Sequence, residues 1–346
     1  MSTVAGLAAA FRPAQRRSHS ALSRLAAPLR VAVVSPADNP ALRSLPSRPD
    51  VTFHVANDAR QFAPFLRDGV DALLWLPPGD VAVLSEVWDQ SDARWVHGFY
   101  AGVDALAPFI SGKMAASEVP LTNGRGAFSA SLAEYIMASC LHFNKQVARC
   151  LDNRRLRKWD KFPMAMLAGK TIGFVGFGDI AHAALPLATA FGMRPLALRR
   201  RPGENDDVQT FAPEQATEML SQCDFVVSTL PGTPQTVGFF GPAQFAAMKE
   251  TAVFVSCGRG VAVQEAALAR ALREGQIAAA ALDVFEVEPL PPDSPLWECE
   301  NLLLTAHNAD FTDDYFELGW NVWVNNLECL MSGRPMATPV DKTAGY

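Results

Sequence analysis

No run of 18 or more uncharged apolar residues occurs in this chain of 346 residues, which excludes a membrane-spanning helix on length alone. Cysteine is sparse. The six residues (Cys140, Cys150, Cys223, Cys257, Cys299, Cys329) are scattered, with no C-x-x-C pair and no histidine at ligand spacing. A disulfide framework and a zinc site are therefore not expected, and the usage fits a reducing compartment. There is no internal repeat, low-complexity block or coiled-coil heptad pattern. Acidic residues are missing before Asp38, where Arg12, Arg16, Arg17, Arg24 and Arg30 stand among Ser and Ala. Arg-rich, Ser-rich and acid-free is the composition of a transit peptide, so residues 1–30 are expected to be a targeting tail for a mitochondrion or plastid, the alternative being a cytoplasmic protein with a disordered tail. Without those five arginines the formal charge falls from −6 to −11. Such a body repels nucleic acid and anionic membranes, and a small-molecule partner is expected instead.

What is present is apolar material in short runs. A hydrophobic content of 49% over this length suffices for two separate cores. Runs such as Leu29–Pro36, Val51–Ala56, Asp71–Pro78, Thr171–Val175, Arg194–Leu198, Asp224–Pro231, Ala252–Gly260, Ile277–Glu286 and Asn301–Ala309 alternate with helical stretches. That alternation predicts βαβ units, hence an α/β fold with parallel sheets. Leu121–Phe128 reads as a crossing segment, and the Ala/Leu-rich stretch Ser129–Leu156 as one long helix.

The most specific local signal lies at Thr171–Gly192. A buried strand, TIGFV, runs into Gly176, Gly178 and Ala181 at the three positions of G-x-G-x-x-G/A, and a helix opens near Asp179 and Ile180. The first glycine permits the turn, the second lets backbone approach a pyrophosphate, and the third position must be small for helix and strand to pack. The helix start offers unpaired N–H groups and a positive dipole end to the anion. The following strand ends in Arg199, Arg200 and Arg201, with no carboxylate before Glu204. A carboxylate there would hold a ribose 2′-hydroxyl, whereas guanidinium groups pair bidentately with a 2′-phosphate. NADP is therefore expected, with NAD as the alternative, and Arg199 and Arg200 as the phosphate clamp.

Ligands in open α/β sheets bind beyond the carboxyl ends of the strands. Arg259, Asp283, Glu288 and His307 all collect there. Arg259, between two glycines, is either a substrate cation or a turn residue, and either Glu288 or Glu286 is the carboxylate partner of His307. His97 is a second histidine near the cleft, and Cys257 is either core or a reactive thiolate.

The motifs GFGDIA at Gly176–Ala181, STLPGTPQTVGFF at Ser228–Phe240, VSCGRG at Val255–Gly260, ALDVFEVEPLP at Ala281–Pro291, SPLW at Ser294–Trp297 and TAHNA at Thr305–Ala309 resemble, in order and spacing, the D-isomer-specific 2-hydroxyacid dehydrogenases. The resemblance runs from Leu29 to the end. WLPP at Trp75–Pro78 and the arginine turn are most similar to the glyoxylate/hydroxypyruvate reductase branch. The resemblance implies two doubly wound parallel-sheet domains, Rossmann-like and flavodoxin-like, with an interdomain cleft. Residues 31–122 plus 308–346 would form the substrate domain and 123–307 the dinucleotide domain, with the Ser129–Leu156 arm joining a homodimer. It implies reduction of a small 2-oxo acid to the D-2-hydroxy acid. Arg259 would chelate the carboxylate, His307 act as general acid, and Glu288 orient it. Leu230, Pro231 and Asp283 would flank the cofactor. Trp75, Leu76, Ala101, Gly102 and Val103 would bind substrate. Phosphoglycerate, formate or D-lactate dehydrogenase activity, or a non-catalytic NAD(P)-sensing scaffold, are the alternatives. Ser256 stands where many relatives carry Asn, and Ala306 where they carry Pro, a loss expected to loosen the loop that holds His307.

Overall fold

The computed structural model describes residues 28–201, 203 and 208–346; most of the proposed targeting tail lies outside them. Strands β1 (Leu29–Val34), β2 (Val51–Ala56), β3 (Ala72–Trp75), β4 (Val96–Gly98) and β5 (Leu121–Asn123) form one sheet in the order β2-β1-β3-β4-β5. Strands β6 (Thr171–Val175), β7 (Arg194–Leu198), β8 (Gln209–Phe211), β9 (Phe225–Ser228), β10 (Val253–Ser256), β11 (Ala279–Leu282) and β12 (Leu302–Leu304) form a second, in the order β12-β11-β10-β9-β6-β7-β8. All pairings within both sheets are parallel. The first order is flavodoxin-like and the second extends the Rossmann order by one strand, as the α/β expectation requires.

Parallel strands need cover on both faces, and four buried clusters supply it. Phe62, Phe65, Leu84 and Val87 cover one face of the five-stranded sheet, and Trp320, Trp323 and Leu327 of the helix Tyr315–Ser332 cover the other. In the seven-stranded sheet, Met219, Leu268 and Leu272 lie on one side, while Ala181, Ala184 and Ala188 pack with Leu132, Ile136 and Met137 on the other.

Three local readings are corrected. Leu121–Phe128 is not wholly a crossing segment, because Leu121–Asn123 is edge strand β5, paired with β4. Ser129–Leu156 is two helices, Ser129–Asn144 and Val147–Arg155, separated where Gln146 adopts φ 48°. Nothing at that break is Gly or Pro, the residues that usually announce one. Arg30 belongs to β1 and not to the tail, its Nε donating to the Gly69 carbonyl at 2.8 Å.

Candidate active site

The strand order reverses between β1 and β3 in one sheet and between β6 and β9 in the other. Beyond those carboxyl ends the two domains enclose a cleft of about 1290 Å³, its lining including Trp75, Arg259, His307 and Tyr346. Ligand sites in such sheets lie at these switch points.

The cleft's far end is a phosphate cradle. Gly176 has φ 89°, and a Cβ there would lie 3.0 Å from the Thr229 hydroxyl. Gly178 sits at the N-cap of the helix Asp179–Ala190 without a side-chain cap, and a Cβ would meet nothing within 4 Å. The first-turn N–H groups therefore face open space, which suits an anion. Ala181 is fully buried, as close helix–sheet packing demands. Asp179 would repel a phosphate, but Arg125 pairs with it at 3.2 Å. Ile180, Arg199, Arg200, Arg201, Leu230 and Pro231 line the same end. These features fit a dinucleotide.

At the other end, two glycines force Arg259 into the cleft. A Cβ on Gly258 would lie 2.5 Å from the Leu230 carbonyl oxygen, and one on Gly260 would lie 1.9 Å from that of Phe285. Neither position tolerates a side chain, so the tight G-R-G turn exists to present the arginine. The guanidinium reaches the opposite domain. Its Nε donates to the Asp104 carboxylate at 3.0 Å, and a Cβ on Gly102 would stand 1.5 Å from its Nη2. Ala101, Gly102 and Val103 thus bring their backbone against Arg259, and all three line the cleft.

His307 lies on the loop after β12 at φ 51°. Its Nδ1 is 2.7 Å from Glu288 Oε2. An ionised carboxylate can only accept, so Nδ1 carries the proton and Nε2 is left for the cleft. Glu288 is itself fixed by the Phe285 N–H at 2.9 Å. Glu286 instead accepts from the Glu265 N–H at 3.1 Å, which excludes it as the histidine's partner. Buried Asp283 fastens the loop, accepting from the Thr305 hydroxyl at 2.6 Å and the Asn308 N–H at 3.1 Å. Its backbone carbonyl takes the His307 N–H at 2.8 Å. At Ala306, where the expectation was a looser loop, the N–H donates to Asn308 Oδ1 at 3.2 Å, a bond that proline could not make.

Trp75 lines the cleft, but Leu76 does not. Its side chain is fully buried with Leu74, Trp95 and Trp323. His97 is likewise withdrawn, fully buried with Nδ1 against the Thr122 hydroxyl at 2.7 Å. Burial pushes its pKa down to about 3, so it is a neutral core histidine. Burial raises the Cys257 thiol well above its ordinary range, which removes the thiolate reading.

Asp104, Arg125, Asp310 and Tyr315 are among the cleft residues that went unread in the sequence. Asp310 follows His307 by three positions. Burial lifts its carboxyl above the usual range, with the His307 and Arg259 charges opposing. Tyr315 stacks on Phe128 at 4.3 Å and, with Phe311, gives the pocket an apolar wall. Adjacency to Gly102 or to His307 was the one available signal for the two aspartates. Among the described residues, no group of three His, Cys, Asp or Glu side chains is placed to hold a metal.

A family model for the D-isomer specific 2-hydroxyacid dehydrogenase NAD-binding domain matches residues 137–309. The chain is 37% identical to a glyoxylate reductase of Korarchaeum cryptofilum over 55% of its own length and 59% of that protein's. A probable 2-hydroxyacid dehydrogenase from Rhizobium etli, solved with NADP, superposes with TM-score 0.78 at 25% identity, covering 92% of this chain and 100% of that one. An NADPH-dependent glyoxylate/hydroxypyruvate reductase from Sinorhizobium meliloti, solved with NADP and sulfate, does so with TM-score 0.75 at 26% identity and the same coverages.

Proposed function

The chain belongs to the D-isomer-specific 2-hydroxyacid dehydrogenase family, and on that footing we propose that it reduces a small 2-oxo acid of the glyoxylate/hydroxypyruvate type with NADPH, giving the D-2-hydroxy acid. The observation that carries this reading is one cleft holding a phosphate cradle, an arginine forced against an open backbone loop, and a carboxylate-tethered histidine.

Each group has a role in that reaction. The Arg259 fork and the backbone of Ala101–Val103 take the substrate carboxylate, and the guanidinium also polarises the keto oxygen. The Asp104 carboxylate holds Arg259 in place until the substrate carboxylate competes for it. When bound, the reduced nicotinamide supplies the hydride. His307, as imidazolium, protonates the developing alkoxide from Nε2. Glu288 accepts from Nδ1 and keeps the ring oriented. Asp283 fastens the His307 loop and would border the nicotinamide carboxamide of a bound cofactor. Trp75 and Tyr315 limit the size of the substrate.

Arg199 and Arg200 clamp the 2′-phosphate in this account. Replacing them together with Asp and Ser removes two cations and adds the ribose-binding carboxylate. The double variant is expected to reverse the ratio of kcat/KM for NADPH over NADH. An unchanged ratio removes the clamp.

We also propose a homodimer built on the segment after Asn144. The helix Val147–Arg155 buries no residue, and Leu151, Leu156, Met166 and the 99% exposed Trp159 present an apolar surface there. Patches of this kind mark interfaces. Light scattering is expected to give twice the chain mass, and a Leu151→Asp/Trp159→Asp variant the single mass. A monomeric parent protein contradicts the dimer.

A further inference from the structure

The stretch after the helix Tyr315–Ser332 is anchored in one domain and ends on the other. Thr122 and Pro339 form an antiparallel bridge. The Val340 N–H donates to the Leu121 carbonyl at 2.9 Å, and Lys342 Nζ donates to that of Val119 at 3.0 Å. These contacts tie the segment to edge strand β5. It then closes a compact turn. Asp341 Oδ1 accepts the Thr343 and Ala344 N–H groups at 2.9 and 3.0 Å, and the Asp341 N–H donates to the Tyr346 carbonyl at 3.0 Å. The turn carries Gly345 and Tyr346 to the cleft wall beside Arg199, Arg200 and Arg201. There the Arg200 guanidinium lies over the Tyr346 ring, 5.3 Å from its centroid.

We propose that Tyr346 is a positioning residue for cofactor choice: its ring holds the Arg200 guanidinium at the cleft wall in readiness for the cofactor's 2′-phosphate. An exposed arginine on a turn otherwise samples many rotamers, and ordering it on phosphate binding is an entropic cost. An aromatic face takes one face of the planar guanidinium and leaves its N–H edge free to fork onto phosphate oxygens. Asp341 Oδ1 is taken by the turn's own N–H groups, and the carboxylate lies close enough to feel the Arg200 and Arg201 charges, so it adds an attraction at longer range while the Tyr346 ring makes the contact on the guanidinium face. The contact joins a segment tied to β5 in one sheet to the turn that follows β7 in the other. This inference rests on the NADPH reading above.

The test is steady-state kinetics with NADPH and NADH for the full chain and for Tyr346→Ala, Tyr346→Phe, Arg200→Ala and the Tyr346→Ala/Arg200→Ala pair. Tyr346→Ala is expected to raise KM for NADPH about fivefold, the scale of an exposed cation–π contact, and to leave KM for NADH in place. Tyr346→Phe keeps the ring and is expected to behave as the parent. In the Arg200→Ala background the tyrosine change should have no further effect, as coupling between the two requires. Equal effects on both cofactors, a Phe variant as poor as Ala, or an undiminished tyrosine effect without Arg200 would each overturn the proposal. If Arg200→Ala leaves the NADPH/NADH ratio unchanged, the clamp itself fails. If that ratio falls while Tyr346→Ala is silent, only the positioning role fails.

Discussion

Replacing His307 with alanine is expected to lower kcat for 2-oxo acid reduction by about 10²–10⁴-fold, the range for loss of a general acid, with the dissociation constant for NADPH unchanged. The expectation follows from geometry. His307 is anchored by its own N–H, its Nδ1 is taken by Glu288 at 2.7 Å, and its remaining nitrogen serves the cleft. The cofactor cradle around Gly176 and Gly178 is built from separate elements, so it survives the change. Glu288→Gln should fall between the parent and His307→Ala: an amide oxygen can still orient the ring but cannot offset its charge. Single-turnover NADPH oxidation separates the chemical step from binding. A His307→Ala enzyme that kept its turnover would move the proton transfer elsewhere, and Asp310 would be the next group to test.

Arg259→Gln is expected to reduce kcat/KM by about 10²–10³-fold or more, since it removes both the carboxylate fork and the polarising charge at the keto oxygen. Arg259→Lys should recover only part of this, because a point charge cannot chelate in the guanidinium geometry. The change should appear in substrate KM as well as kcat. Asp104→Asn is expected to alter kcat/KM by less than about tenfold. Its pair with Arg259 is partly solvent-exposed, with side chains 44% and 34% accessible, and such pairs contribute little. Equal losses for Asp104→Asn and Arg259→Gln would mean that the arginine serves domain closure and does not bind substrate.

Much of this architecture could be read directly from the chain. β2, β6 and β7 begin and end where the apolar runs do; in β6, buried along its whole length, the reason is that a strand covered on both faces leaves a continuous hydrophobic signature. The same property hid other features. His97 lies on β4, whose three residues are all buried, so the alternation that separates core from cleft in an exposed sheet is absent. Leu76 was misplaced for the same reason, since its neighbour Trp75 faces the cleft while Leu76 packs under Trp323. β5 and β8 span three residues each, too short for a period to show. The break at Gln146 carries no turn chemistry. Cross-domain contacts were the least legible. Asp104 with Arg259 and Tyr346 with Arg200 join positions 155 and 146 residues apart in sequence. Only the packing of one sheet against the other defines them. The choice between Glu286 and Glu288 was of the same kind, decided by which carboxylate the turn after β11 aims at the histidine.

Hydride transfer from NADPH to a small 2-oxo acid in this cleft is the step on which every other proposed role depends. The most direct measurement is NADPH and NADH oxidation by the purified protein with glyoxylate, hydroxypyruvate and pyruvate. Rapid turnover of NADPH with glyoxylate or hydroxypyruvate, and much slower turnover of NADH, is the predicted result. Tight NADPH binding with no oxidation on any of the three acids would contradict it, leaving a protein that senses the cofactor without using it.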